Sequence, residues 1–112
     1  MEALRVETSR VDGTLLLRMI GEFDRSGSDR FREAIDQAFD EAPPQITIDL
    51  RLLTFLDSSG MHAMFMAHKR AKEEGAHLTF VKGPEQVHRV FTITGMDDEL
   101  EFQTWDSAEG TS

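Results

Sequence analysis

The stretch Ile46-Thr47-Ile48-Asp49-Leu50-Arg51-Leu52-Leu53-Thr54-Phe55-Leu56-Asp57-Ser58-Ser59-Gly60-Met61 decides how this chain folds. Gln45 to Leu50 alternates as QITIDL, placing Ile46, Ile48 and Leu50 on one face of a short strand. Leu52 to Leu56 carries the apolar run on, as strand or loop, into Asp57-Ser58-Ser59-Gly60. Beyond the turn, Met61, Met64, Phe65 and His68 recur at i, i+3, i+4 and i+7, the spacing of one helix face, and Gly75 supplies a stop. His77 to Val81, HLTFV, is a further strand. A strand, helix and strand in that order predict a right-handed parallel crossover, and with it an α/β fold.

Upstream, Thr14 to Ile20 (TLLLRMI) reads as a strand, and the Asp12-Gly13 turn signal pairs it with Leu4 to Thr8 as a hairpin. Gly21-Glu22-Phe23-Asp24 is expected to break that strand. From about Ser28, the apolar residues Phe31, Ile35, Ala38, Phe39 and Ala42 keep helical spacing until Pro43-Pro44. Downstream, Pro84 opens a helix with Val87, Val90, Phe91 and Thr94 on one face, and Gly95 closes it. Glu101 to Trp105 forms a last short strand. The sum is a mixed sheet of four to five strands with helices packed on it. One domain over residues 1–106 is expected, with 107–112, small and acidic, as a flexible tail. No internal repeat stands out.

The composition narrows the function classes. The chain has 112 residues, with 12 Lys and Arg against 21 Asp and Glu and a net charge of −9. That balance opposes direct binding to nucleic acid or an anionic membrane. There is no Cys, which excludes disulfides, thiol catalysis and cysteine-ligated metals and favours a reducing, cytoplasmic compartment. No apolar run approaches a bilayer span, and Met1-Glu2-Ala3-Leu4-Arg5 lacks the layout of a signal peptide. His62, His68, His77 and His88 show no i+3 or i+4 pairing and no H-E-x-x-H run, so no metal or other cofactor is expected. G-x-S-x-G is absent around Ser58 and no Gly-rich phosphate loop occurs, which argues against hydrolysis and nucleotide binding. Met61, Met64 and Phe65 share a core-facing helix face, while Met66 points elsewhere as an exposed contact. Lys69-Arg70-Ala71-Lys72, followed by Glu73-Glu74, reads as a solvated, partly paired helix end.

The Asp57-Ser58-Ser59 oxygens sit where a helix start needs its orphan N–H groups capped. The same position suits a phosphate acceptor. A phosphoryl group there meets N–H donors and the positive dipole end, so a serine can be modified without melting its helix. Capping and phosphate acceptance are compatible readings of one turn.

Residues 46–61 closely resemble the phosphorylation-site region of STAS-domain anti-sigma factor antagonists. Leu17-Arg18-Met19-Ile20-Gly21-Glu22-Phe23-Asp24 resembles that family's second strand and following loop, and HRVFTITG, His88 to Gly95, its last helix. The resemblance implies a single STAS domain whose acceptor is Ser58. It implies phosphorylation by an anti-sigma factor that is itself a GHKL-type serine kinase, and reversal by a PP2C-type phosphatase. The unphosphorylated form would bind the anti-sigma factor and release the sigma factor, and phosphate would end that binding. The chain would be a kinase substrate and binding module, not an enzyme. By the same resemblance Asp24 and Asp57, which flank the acceptor, are candidates for positioning or partner contact, and Ser59 and Gly60 would shape the turn. His62 departs from the small residue relatives carry there and, at i+4 from Ser58, is a contact candidate together with Met66. The alternative is a stand-alone STAS accessory subunit of a transport ATPase or a stress-signalling scaffold, with no phosphorylation cycle.

Overall fold

The structure is a computed structural model and describes residues 2–104. Strand β1 (Arg5–Val11) and β2 (Thr14–Phe23) form the expected hairpin. Its two-residue turn, Asp12-Gly13, has positive φ at both positions, 49° and 82°, the geometry that matches strand twist. β1 runs through to Val11 rather than ending at Thr8, because the two-residue turn pairs Val11 directly with Thr14.

Gly21-Glu22-Phe23 does not break β2, contrary to the expectation from sequence. The strand continues to Phe23 with register irregularities at Arg18/Ile20 and Gly21/Glu22. Gly21 has φ 97°, and a Cβ there would lie 2.8 Å from the Ala3 carbonyl and 3.0 Å from that of Glu2. The glycine lets the N-terminal backbone approach a bulged strand, and the Glu22 N–H donates to the Glu2 carbonyl at 3.0 Å.

A single tight turn over Arg25–Gly27 leads to α1 (Ser28–Glu41), which buries Phe31, Ile35, Ala38 and Phe39. Ala42 does not join that face: it is the left-handed residue (φ 48°) that ends the helix before the two prolines. β3 (Gln45–Leu56) is far longer than QITIDL. It pairs in parallel with β2 along its length, from Thr14↔Gln45 to Phe23↔Leu56, while only its first part pairs with β4 (His77–Val81), from Gln45↔His77 to Asp49↔Val81. Between them α2 (Ser58–Glu74) ends at Gly75, φ 72°. Its buried face is Gly60, Met64, Ala67 and Ala71, with Met61 and Phe65 half-buried beside it.

After α3 (Glu85–Thr94) comes a four-residue helix, α4 (Met96–Glu99), so the 88–95 segment is not the last helix. It is too short to show a period in sequence. β5 (Phe102–Gln103) pairs in parallel with β4 and completes the order β1-β2-β3-β4-β5. Trp105, expected in that strand, and the tail expected over 107–112 lie outside the described residues. This is the α/β class expected, a mixed five-stranded sheet with helices packed on it.

Alternation along β3 separates two environments. Ile46, Ile48 and Leu50 are fully buried in the core with Phe31, Met64, Phe80 and Phe91. Thr47 and Asp49 point to the other face, also buried. Asp49 accepts from Arg51 Nε at 3.0 Å and Nη2 at 2.9 Å, with Arg18 Nε at 3.7 Å. Burial pushes its carboxyl up, but the Arg51 hydrogen bonds and the two guanidiniums outweigh this and hold it below the usual range.

Candidate functional site

Asp57 is the extended residue between β3 and α2. Its Oδ1 accepts the Gly60 N–H at 3.0 Å and the Ser59 hydroxyl at 2.7 Å, and so caps the helix. The Asp57 N–H donates to the Phe23 carbonyl at 3.2 Å, fastening the start of α2 to the end of β2. Gly60 is buried against the same place. A Cβ there would lie 2.7 Å from Leu56 Cδ1 and 2.9 Å from the Phe23 carbonyl, so only glycine lets the helix start rest on the strand end.

Asp24 caps its own turn in the same manner. Its Oδ1 accepts the Ser26 N–H at 2.9 Å and the Ser26 hydroxyl at 2.5 Å. The Ser26 hydroxyl is the main cause of a carboxyl held below the usual range. Asp24 directly follows Phe23, so the two capped turns lie side by side at one end of β2 and β3. Ser26 was not among the sequence candidates. The signal was present as Asp-x-Ser-Gly, which occurs at 24–27 and again at 57–60.

The two serines of the second turn differ in what they are free to do. Ser59 is half-buried, and its hydroxyl is committed to Asp57. Ser58 is exposed as the first residue of α2, and among the described residues its hydroxyl makes no hydrogen bond. An exposed hydroxyl at a helix N-terminus is open to an incoming phosphoryl donor, and the helix field favours the product.

His62 and Met66, one and two turns along α2, are both exposed. They line a groove of about 360 Å³ between α1 and α2, together with Ser59. Ser58 does not line it. The structure therefore brings Asp24, Asp57, Ser58, Ser59 and Gly60 together at two adjoining turns, and places His62 and Met66 in the neighbouring groove. Leu52 and Phe55, at 50% and 46% exposure on the far part of β3, also lead up to the turn, although in sequence they read simply as apolar strand. Among the described residues there is no group of three or more His, Cys, Asp or Glu able to hold a metal, and no helix long and apolar enough to cross a membrane.

Comparison with known proteins agrees with this architecture. The model of the STAS domain family matches residues 5–109. The anti-sigma F factor antagonist of Paenibacillus polymyxa is 29% identical over 94 residues, covering 83% of this chain and 80% of the relative. An anti-sigma factor antagonist from Mycobacterium paratuberculosis superposes with a TM-score of 0.85 at 21% identity, covering 97% of this chain and 92% of that one. The anti-sigma factor antagonist SpoIIAA in its unphosphorylated form gives 0.76 at 21% identity over 97% and 93%. The phosphorylated form of SpoIIAA from Bacillus gives 0.70 at 21% identity over 97% and 96%. With the family model spanning nearly the whole domain and the fold agreeing along almost all of its length, this chain belongs to the STAS domain family.

Proposed function

We propose that this chain is an anti-sigma factor antagonist, a cytoplasmic, non-catalytic binding protein switched by phosphate on Ser58. The observation that carries the proposal is the inequality of two adjacent serines. Ser59 is tied to the Asp57 cap, whereas Ser58 is exposed and its hydroxyl is not part of the capping network. The relatives named as anti-sigma factor antagonists, one of them known in phosphorylated and unphosphorylated forms, support the same reading.

In this mechanism a GHKL-type anti-sigma kinase presents ATP to the turn. The Ser58 Oγ attacks the γ-phosphorus, the new O–P bond forms as the β,γ-bridging O–P bond breaks, ADP leaves, and the hydroxyl proton passes to a base of the kinase. A PP2C-type phosphatase returns the serine by adding water across the phosphoester. The phosphate adds about −1.5 to −2 charge beside Asp57 and Asp24. Because the caps use other oxygens, the fold is retained and the change falls on the partner contact. The unphosphorylated face binds the anti-sigma factor in place of its sigma factor, and the phosphorylated face does not.

The test is to incubate the protein with the GHKL-type anti-sigma kinase of the same genome and ATP, then map phosphate by mass spectrometry. One phosphate on Ser58 is expected, and Ser58→Ala should resist phosphorylation while still binding the kinase. No complex and no phosphate on Ser58 would overturn the proposal. Binding to other proteins that is indifferent to Ser58→Asp would point instead to an accessory subunit.

A further inference from the structure

Of the large exposed apolar side chains, Val11 lies at the β1–β2 hairpin, at the opposite end of β2 from the capped turns, and Ile93 on α3, whereas Leu52, Phe55 and Met66 bracket the acceptor turn in sequence. Met66 belongs to the groove between α1 and α2. The two helices start together, Ser28 lying across from Ser59 at the near end, and the Asp36–Arg70 ion pair at 2.6 Å marks the far end. Between these polar ends Phe31, Ile35, Ala63, Met66 and Ala67 give the groove an apolar floor, with Arg32 and His62 also on its walls. A volume of about 360 Å³ holds one or two large side chains.

We infer that this groove receives a bulky apolar side chain of the same anti-sigma factor whose active site reaches Ser58; the inference rests on the function proposed above. Two features favour that occupant. The groove is continuous with the turn, since Ser59 both donates to Asp57 and lines it, so a partner seated over Ser58 covers the groove mouth. The charge balance points the same way. No Lys or Arg follows Arg89, whereas Asp97, Asp98, Glu99 and Glu101 do, so much of the acid excess is carried by α4 and the approach to β5 and not by α1 or α2. The α1–α2 face carries both signs, as in Arg32 with Asp29 and Arg70 with Asp36. Its selective feature is therefore apolar shape, the kind of pocket that receives an anchor residue.

Titration calorimetry of the wild type, Ala63→Leu and Met66→Lys against the purified GHKL-type anti-sigma kinase tests this. Ala63→Leu fills the groove without adding charge, and Met66→Lys alters an exposed position that the fold does not need. Each is expected to weaken binding by about tenfold or more, in low and high salt alike. Ile93→Ser, which removes an exposed apolar side chain from α3, is expected to stay within about twofold of wild type. Wild-type affinity in both groove variants overturns the groove assignment and leaves the Ser58 switch standing. Wild type that does not bind the kinase overturns the switch and the groove together. Thermal melts matching wild type for Met66→Lys keep the result clear of misfolding, even if Ala63→Leu is poorly folded.

Discussion

The turns Asp24-Arg25-Ser26-Gly27 and Asp57-Ser58-Ser59-Gly60 are capped alike but open different helices. Each begins with an extended aspartate, at φ −113°, ψ −169° and φ −106°, ψ −176°. Each aspartate accepts the hydroxyl of the serine two residues on, and each ends in a buried glycine. They differ at the second position and in the length of helix they open. Arg25 begins a single tight turn before α1, while Ser58 begins α2 directly, a helix of 17 residues. The cap needs the first, third and fourth residues and leaves the second exposed. The capping contacts thus fall on other side chains than the second residue, so under the switch proposed above a phosphate on Ser58 would leave the cap of the helix behind it intact.

The glycines should separate the turns most strongly. A Cβ at Gly60 meets the Phe23 carbonyl at 2.9 Å, backbone that cannot swing aside, as well as Leu56 Cδ1 at 2.7 Å. At Gly27 the nearest atoms are Leu4 Cβ and Cδ2, at 3.0 and 3.1 Å, contacts that a displacement of a few tenths of an ångström would relieve. Gly60→Ala is therefore expected to destabilise by about 2 kcal/mol, within the range for overpacking, and Gly27→Ala by about half of that. Urea midpoints at constant slope would show it. Equal losses would mean that α2 does not rest on the end of β2 as described.

The caps come next. Asp57→Ala removes the side-chain cap of a long helix and should cost about 1 kcal/mol. Asp24→Ala affects a three-residue turn and should cost less. Acid gives a second handle on Asp24. Its folded carboxyl lies below the ordinary 3.8, mainly through the Ser26 hydroxyl, so its contribution is complete above the unfolded value and fades as pH falls through the folded one. The stability gap between wild type and Asp24→Asn, read from urea midpoints, should be present at pH 7 and narrow below pH 3.8. A gap that widened on acidification would contradict the hydrogen bonding of this turn.

Much of this pair was legible in sequence, and the illegible part has physical causes. Ile46, Ile48 and Leu50 announced their strand because one face is core and the other polar. Leu52 to Leu56 hid its strand character: Leu53 and Leu56 are buried while Leu52, Thr54 and Phe55 are exposed, so no period of two survives beside the β2 irregularities. Gly21 read as a breaker because the backbone that crowds it, Glu2 and Ala3, is remote in sequence. The Asp57–Gly60 turn was readable because caps use local chemistry. The groove was not, since it exists only where α1 and α2 lie side by side and bring Phe31 and Met66 to one cavity. The repeated Asp-x-Ser-Gly was in plain view, but four residues are too few to single out until both copies show the same hydrogen bonds.

The smallest effect on stability is also the sharpest test of the comparison. Arg25→Ser spells the acceptor tetrapeptide at the first turn, at an exposed position the cap does not use, so stability should stay within about 0.5 kcal/mol of wild type. Placed in a Ser58→Ala background, this variant asks whether the capped turn alone makes an acceptor. The expected answer from kinase, ATP and mass spectrometry is no phosphate at position 25. A hydroxyl there opens a single tight turn three residues ahead of α1, whereas Ser58 is itself the first residue of the 17-residue α2, where the helix field acts most directly on a phosphate. Position 25 also lies outside the residues that line the groove, whereas Ser58 adjoins Ser59 within it. Efficient phosphorylation at position 25 would show that the Asp-x-Ser-Gly cap is sufficient by itself, and that the long helix and its groove add nothing to the choice of serine.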